Sequence, residues 1–280
     1  MKQISPNVYV ETGKRGCNHS FLTTLEGIVM IDAPYMPVDA ESWRKVIAQK
    51  GPVKYLIQAE HHPDHIAGNG FFEGTVVSLE GTRQDFADSV VLAREGIAQA
   101  QPASLPLWES HPPRPPAITF SDKLTLYVGH HTIQLTHLIG HSANQVAVFV
   151  PEERVVFTAD NMFNNRQPFL HQAYPFRWLQ SLKVIAALNV HLIVPGHGDV
   201  CDRSYVKEVS RFLEDWIEAV REAIKRGLSR EEVASSVSFL GRYPMNPGRE
   251  SFGPELQRMN AGRLYDVLTQ GEENLLKARK

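Results

Sequence analysis

The chain has little cysteine and no excess of charge of either sign, and both shortages narrow its class. Only two of its 280 residues are cysteine, Cys17 and Cys201, which is too few for a disulfide-stapled scaffold. Its 29 basic and 31 acidic side chains leave a formal net charge of −2, so it lacks the basic surface that holds nucleic-acid phosphates. We therefore expect no nucleic-acid partner.

Long apolar runs are also missing from the sequence. No stretch reaches the length of about 18 apolar residues that a membrane-spanning helix needs, so no membrane partner is expected. The first residues, MKQISPNVYVE, contain no apolar signal core, and we expect a cytoplasmic protein. Because 42 % of the residues are hydrophobic, the chain has enough apolar surface to fold.

Strands and helices are both predicted, in an order that favours a mixed architecture. The predicted strands cover residues 8–10, 20–23, 27–32, 53–59, 124–128, 132–135, 145–150, 154–158 and 191–194. The predicted helices cover residues 40–50, 82–101 (capped by Thr82 and Asp85), 177–188 and 204–226, and a short one follows the capping box of Ser229 and Glu232. Because strands followed by a helix occur twice, we expect an α/β (α+β) fold of two stacked mixed sheets with helices outside.

Two segments stand apart from this pattern. Residues 101–120 hold six of the 18 prolines, so they are predicted to be neither helix nor sheet interior. Since long irregular loops are often functional, we predict that this stretch, which carries Trp108, forms a lid or wall over the functional site. Residues 240–262 are rich in glycine, proline and asparagine and receive no assignment.

Four candidate metal ligands crowd the end of the strand predicted at 53–59. Glu60, His62, Asp64 and His65 fall within six residues, and alternation in an extended chain places residues 60, 62 and 64 on one side, with His61 on the other. Carboxylate and imidazole donors are the ligands that zinc accepts. The run therefore predicts a metal site.

Three further donors, His141, Asp160 and His197, also follow predicted strands, each beside a small residue. Glycine next to a histidine lets the backbone approach closely and lets the ring turn inward. Each position alone is weak evidence, because a single polar residue after a strand is often structural. Together with the first cluster they predict one site.

The motifs that carry these donors resemble those of the metallo-β-lactamase-fold hydrolases. YLIQAEHHPDHIAGN, IGHSANQ, FTAD and VPGHG match that family in order and spacing, and the resemblance extends over about residues 8–216. It implies an αββα sandwich of two mixed β-sheets flanked by helices, with a metal site at one edge that usually holds two zinc ions. One domain is expected over residues 1–280, with about 228–280 as a helical or irregular extension.

The resemblance also implies a role for each donor. The first metal would take His62 and His141, together with whatever occupies position 60. The second metal would take Asp64, His65 and His197. Asp160 would be the bridging carboxylate, which is typical of the broad hydrolase branch (lactonases, thioesterases, phosphodiesterases) and generally missing from true β-lactamases.

Position 60 departs from the family, because Glu60 stands where a histidine is usual. A third carboxylate lowers the charge of the loaded site by one unit and weakens its attraction for anions. Carboxylate oxygen is also harder than imidazole nitrogen, which shifts metal preference toward Mn²⁺ or Fe²⁺. The alternative is that His61 takes this position, although strand alternation argues against it.

These features predict a metal-dependent hydrolase with two divalent metal ions, zinc first and manganese or iron as alternatives. Two cations would lower the pKa of a bridging water, and the resulting hydroxide would attack an ester, lactone, thioester, amide or phosphodiester of a small, partly apolar molecule. Asp64 is the predicted catalytic residue, orienting the nucleophile and moving its proton. The sequence leaves the oligomeric state open, with a homodimer as one option.

Two other functions remain open at this level. A mononuclear iron oxygenase of the persulfide-dioxygenase type needs two histidines and one carboxylate with open positions. A binding protein that has lost catalytic power through Glu60 is the alternative outside enzymes.

Aromatic residues between Asp160 and the helix predicted at 177–188 fit either core packing or an apolar substrate pocket. His171, in the same segment, lies where this fold often lines its pocket. The aromatic residues are Phe163, Phe169, Tyr174, Phe176 and Trp178.

Overall fold

A computed structural model describes residues 1–278, within which the chain forms fourteen strands and ten α-helices. The strands are β1 (Lys2–Gln3), β2 (Val8–Glu11), β3 (His19–Thr24), β4 (Gly27–Ile31), β5 (Val53–Ile57), β6 (Thr75–Leu79), β7 (Ile118–Phe120), β8 (Lys123–Val128), β9 (His131–His137), β10 (Val146–Val150), β11 (Val155–Phe157), β12 (Phe163–Asn164), β13 (Leu192–Val194) and β14 (His197–Gly198). The helices are α1 (Pro37–Ala48), α2 (Pro63–Ile66), α3 (Glu80–Gln84), α4 (Phe86–Ala100), α5 (Leu105–Glu109), α6 (Pro175–Ala187), α7 (Val206–Lys225), α8 (Arg230–Ser236), α9 (Gly253–Gln270) and α10 (Glu272–Ala278).

The strands form two large sheets and one short pair. The first sheet runs from β1 to β7 in chain order, the second has the order β13-β11-β10-β9-β8, and β12 pairs with β14. Strands β4 to β7 are parallel to one another, as are β11 and β13. Because parallel strands end at the same edge of a sheet, the loops after β4 and β5 lie together, and so do those after β11 and β13.

Side-chain alternation along β4 shows how the layers are built. Ile28 and Met30 pack with the buried faces of α1 and α4, whereas Val29 and Ile31 lie in the core between the two sheets. Such two-sided burial is typical of a sheet covered on both faces. The second sheet is covered in the same way by α6, α7 and α9, so the predicted αββα sandwich is confirmed.

Helix α7 is the long amphipathic helix that the sequence predicts at 204–226, and its apolar stripe is buried. Phe212 and Trp216 on this stripe are fully buried in the core between the second sheet and helices α6, α7 and α9. Glycine 227 follows with a positive φ of 82°, and the predicted capping box of Ser229 and Glu232 starts α8. Within residues 1–278, no helix combines the length and apolar character needed to cross a membrane.

The helix predicted at 82–101 is wrong in its start and in its cap. The structure has two helices, α3 and α4, which meet at Asp85. Thr82 lies buried inside α3, and the Asp85 carboxylate accepts a hydrogen bond from Asn144 Nδ2 at 2.7 Å. The carboxylate is therefore used in a contact with a distant loop, which local sequence spacing does not reveal.

The proline-rich stretch 101–120 is also not the predicted irregular lid. It contains a 3₁₀ turn at Pro102–Ser104, helix α5 and the edge strand β7. Proline is compatible with the first turn of a helix, where its missing N–H is not needed. Trp108 is buried in the core between the first sheet and helices α1 and α4, and its Nε1–H donates to the carbonyl of Ala67 at 2.8 Å.

We predict that Trp108→Phe lowers the free energy of unfolding by about 1–3 kcal/mol, because the Ala67 carbonyl loses a buried donor. Urea denaturation measures this loss. Trp43→Phe is the matched control: Trp43 is equally buried, at 4 % exposure, but its Nε1 has no hydrogen-bond partner within residues 1–278. A change in KM for a bulky substrate, without a larger loss of stability than in the control, would instead support the lid.

Candidate metal centre

The seven predicted ligands lie at one edge of the sandwich, in segments that follow strands. Asp64 and His65 are in α2, and His197 begins β14. Glu60 comes after β5, and α2 begins one residue after His62. His141 lies in the loop between β9 and β10, Asp160 follows β11, and His197 follows β13. The sheet topology therefore gathers residues that are far apart in the chain.

Glu60, His62 and His141 form the first group of candidate ligand atoms, which lie within 4.8 Å of one another. His62 Nδ1 contacts Glu60 Oε1 and lies 3.2 Å from His141 Nε2. The Glu60 side chain is fully buried. A carboxylate and two imidazoles therefore face one small volume.

Asp64, His65 and His197 form the second group, with the same limit of 4.8 Å. Asp160 lies between the two groups. Its Oδ1 is 3.3 Å from His65 Nε2, and its Oδ2 is 3.3 Å from His197 Nε2 and 3.6 Å from His141 Nε2. The resemblance implies a bridging carboxylate at Asp160, and this role stays a prediction.

His61 lies apart from both groups. Its Nε2 is 4.0 Å from Asp85 Oδ2, and its ring contacts that of His62 with centroids 4.4 Å apart. It belongs to none of the ligand clusters found within residues 1–278. The structure therefore places Glu60, and not His61, with the other donors, as strand alternation predicts.

The hydrogen bonds of two histidines fit a metal ion. A backbone carbonyl and a carboxylate are acceptors, so His141 Nδ1 donates to Phe169 O at 2.6 Å and His65 Nδ1 donates to Asp32 Oδ2 at 2.9 Å. Each ring then presents the lone pair of Nε2 to the cluster, as metal-binding histidines do.

Unpartnered buried atoms support the same conclusion. Glu60 Oε2, His65 Nε2 and Asp160 Oδ1 are buried and have no hydrogen bond in the described part of the chain. Buried polar atoms without partners are costly, and a metal ion satisfies them. The residues present therefore fit divalent cations, while their action as ligands remains a prediction.

The carboxylates distribute charge unevenly between the two groups. Burial would lower the pKa of His197, but Asp160 and Asp64 raise it to about 10. Burial lowers the pKa of His141 to about 3, because the nearby carboxylate only partly offsets it. Burial raises the pKa of Glu60, although His62 and His65 act against it. The pKa is raised for both histidines of the second group, His65 and His197, but only for His62 in the first. The second group therefore favours positive charge at more of its imidazoles.

Two residues that support the ligands were not predicted as functional. Asp32 has a φ of 56° directly after β4, and its Oδ1 accepts a hydrogen bond from Ala59 N at 2.8 Å while Oδ2 holds His65. The sequence does carry a signal for Asp32, since it ends an apolar strand as Asp160 does. Asn18 carries no such signal, yet its Nδ2 donates to the carbonyls of Pro195 and Gly198, on either side of His197.

Glycines 140 and 196 allow the close approach that the sequence predicts. A Cβ on Gly196 would lie 1.9 Å from Asp160 Oδ1, and one on Gly140 would lie 2.0 Å from Asn161 Oδ1. Asn161 Oδ1 in turn accepts a hydrogen bond from His141 N at 3.0 Å. Any side chain at these two positions would displace the carboxylate or the loop of His141.

A cavity of about 190 Å³ opens onto the candidate ligands. His171 lines it, as the resemblance predicts, and burial lowers the pKa of this histidine to about 4. Of the aromatic residues from 163 to 178, Phe169 lines the cavity, whereas Trp178 is fully buried in the core between the second sheet and its helices. The rest of the rim comes from positions that the sequence did not indicate: Arg15, Gly16, Tyr35, Asn246, Arg249 and Phe252.

Comparison with known proteins decides the family. A model of the metallo-beta-lactamase superfamily matches residues 13–197, about two thirds of the chain. The chain belongs to this superfamily. The rim residues Asn246, Arg249 and Phe252 lie outside the matched range.

Two curated relatives of this chain are named as a sulfatase and a beta-lactamase. The chain is 23% identical to the linear primary-alkylsulfatase of Pseudomonas sp. over 258 residues, which cover 76% of this chain and 48% of that protein. It is also 23% identical to the metallo-beta-lactamase type 2 of Elizabethkingia meningoseptica over 231 residues, covering 77% and 85% of the two chains. The chain thus spans about half the length of the alkylsulfatase and most of the lactamase.

A solved structure shows the same fold. The sec-alkylsulfatase Pisa1 from Pseudomonas sp. superposes with a TM-score of 0.71 at 15% identity, covering 95% of this chain and 50% of that one. Because it covers 95% of this chain, this likeness extends beyond residue 197, where the family model ends. At 15% identity, this likeness shows the fold alone.

We predict that Asp32→Asn weakens the affinity for the second metal by about 10–100-fold, because the amide no longer fixes His65 through a charged acceptor. Zinc affinity measured by chelator competition checks this. Asp122→Asn serves as the control, since Asp122 is exposed and remote from the ligands. Equal zinc affinities of the two variants would contradict the role of Asp32.

Proposed function

We propose that this chain is a hydrolase with two divalent cations, of which zinc is the first expectation and manganese or iron the alternative. The first cation would be held by Glu60, His62 and His141, the second by Asp64, His65 and His197, with Asp160 between them. The observation that carries the proposal is that the two Asp160 oxygens reach donors of both groups, at 3.3 Å and 3.6 Å. When bound, such cations supply Lewis acidity and lower the pKa of a coordinated water.

A carboxylate that lines the cavity would orient the attacking water. Asp64 is the most exposed of the three carboxylates, with 24% of its side chain accessible, and Asp64 and Asp160 both line the cavity. His197 and His65 lower the pKa of Asp64, although its partial burial acts in the opposite direction. Asp64 therefore stays ionised and would accept a hydrogen bond from the attacking water. This orients the water toward a substrate bound in the cavity.

The substrate is proposed to be a small, partly apolar molecule. The cavity of about 190 Å³ has aromatic side chains, Phe169 and Phe252, next to the polar donors. No nucleic-acid or membrane partner is proposed. The reacting bond is an ester, lactone, thioester, amide, phosphodiester or, given the alkylsulfatase relative, a sulfate ester.

Glu60 favours one other function, a metal-binding protein with weakened catalysis, because a third carboxylate reduces the positive charge available to stabilise a developing oxyanion. Metal content measured together with turnover on a panel of these esters separates the candidates. Two metals with turnover support the hydrolase. One iron with O₂ uptake would support the oxygenase that the sequence left open.

We predict that alanine at His62, His65, His141 or His197 removes activity and reduces the bound metal below two per chain, because each variant loses a ligand atom. Elemental analysis of the purified variants measures the metal. His191→Ala is the control, since His191 is exposed and distant from the cluster. Two retained metals in any of the four variants would contradict that assignment.

We predict that Glu60→Gln weakens the first metal more than the second, because the amide oxygen lacks the negative charge. Glu60→His should keep the fold and shift metal selectivity toward zinc, since imidazole is a softer donor than carboxylate. Competition between Zn²⁺ and Mn²⁺, followed by elemental analysis, measures the shift. A crystal structure with Glu60 more than about 3 Å from any metal would overturn the role of this residue, as Zn–O bonds are near 2.0–2.2 Å.

A further inference from the structure

We propose that Arg15, Arg249 and Asn246 form a subsite for an anionic group, sulfate or carboxylate, of the substrate. The apolar part of the same molecule would pack on Phe169 and Phe252. This inference rests on the proposed function, whose substrate class it narrows.

Arg15 connects the metal-site edge to the C-terminal segment. It precedes Gly16, where a Cβ would lie 3.3 Å from Asp64 Cβ, so its backbone is next to a candidate ligand. Its guanidinium reaches the C-terminal segment, because a Cβ on Gly248 would lie 2.6 Å from Arg15 Nη1. Arg249 is the next residue along that segment, and both arginines line the cavity.

Neither guanidinium is in a direct ion pair among the described residues, although Arg15 lies close enough to Glu250 to help lower the pKa of that carboxyl. Within residues 1–278, Arg15 and Arg249 form no salt bridge within 4.0 Å, whereas Arg242, also in the C-terminal segment, pairs with Asp215. Arg15 Nε is buried and has no hydrogen-bond partner in the same range. Two unpaired, partly buried cations at one rim attract an anion, and guanidinium binds carboxylate or sulfate with paired N–H donors.

Asn246 is an independent indication of a ligand. Its side chain is only 4% exposed, it lines the cavity, and its Oδ1 is buried without a hydrogen-bond partner in the described residues. A buried amide without partners is costly. The amide also carries two N–H donors, which would bind an oxygen of the anion beside the arginines. Its Oδ1 is an acceptor and would take a hydrogen bond from a water or from a hydroxyl of the ligand.

Glu60 explains why such a rim would matter. The third carboxylate lowers the positive charge of the loaded metal site by one unit compared with a histidine, so the site itself attracts an anion less strongly. Arg15 and Arg249 place positive charge at the rim, away from the ligands. Recognition of the anion would then depend on the rim, and the metal centre would retain the chemistry.

The aromatic pair defines the other half of the ligand. The rings of Phe169 and Phe252 lie with centroids 6.2 Å apart and planes at 19°, and the Arg249 guanidinium carbon is 5.6 Å from the Phe252 centroid. An apolar chain or ring packed here lies directly beside the cationic groups. The subsite therefore selects a molecule with an anionic end and an apolar body.

Direct binding to the purified metal-loaded protein tests the subsite without any turnover. Isothermal titration calorimetry with 1-hexanesulfonate, hexanoate and 1-hexanol compares two anions with a neutral probe of the same chain length. We expect Arg15→Gln and Arg249→Gln each to weaken anion binding by about 10–100-fold, the value of a charged hydrogen bond, with 1-hexanol unchanged. Loss confined to one anion also supports the subsite and identifies its group.

The controls separate charge from structure. Arg44→Gln removes one exposed positive charge on α1, remote from the cavity, and should leave binding of all probes unchanged. Arg15→Lys and Arg249→Lys should recover part of the anion affinity. Equal losses for anions and 1-hexanol, unaltered anion binding in the Gln variants, or no anion binding to the unmodified protein would each overturn the subsite.

The two proposals fail in different ways. Absence of metal or of ester hydrolysis contradicts the hydrolase, while anion binding that depends on Arg15 and Arg249 would still stand. Conversely, the protein could bind two metals and hydrolyse neutral esters while its anion affinity is unchanged by substitution of either arginine. This result would support the hydrolase and contradict the subsite.

Discussion

The carboxylate of Asp160, which lies between two groups of donors, is the contact on which the rest of the site depends. Its oxygens come within 3.3–3.6 Å of His65, His141 and His197, which belong to three separate segments of the chain. Burying a carboxylate among these side chains is costly unless positive charge compensates it. The surrounding features, such as Gly196, which leaves space for Oδ1, serve that one placement.

Glu60 adds a third carboxylate to the candidate site, where the resemblance implies a histidine. It occupies the position next to His62 and His141 while His61 turns toward Asp85. In the proposed dinuclear site, this carboxylate would lower the positive charge and leave more of the attraction for an anion to groups at the rim of the cavity. The guanidinium groups of Arg15 and Arg249 line the same cavity and would supply this attraction.

The sequence predicted the wrong segment at the border of the cavity, and the reason is physical. The stretch 101–120 was predicted to be a lid because it is rich in proline and carries a tryptophan. In the structure, Trp108 donates a hydrogen bond to the carbonyl of Ala67 and packs in the core with α1 and α4. Residues 240–262 have no periodic apolar pattern, yet they reach the site through Asn246, Arg249 and Phe252. Burial of a side chain depends on the partner surface, which composition does not specify.

The sequence by itself determined the layers of the fold and the seven candidate ligands, because strand alternation, helix periodicity and donors at strand ends are local patterns. It also favoured Glu60 over His61 through alternation alone. Only the tertiary structure decided which residues hold the ligands in place and which line the rim. Asp32, Asn18, Arg15 and Arg249 act on groups far away in the chain, and such contacts exist only after the two sheets have packed together.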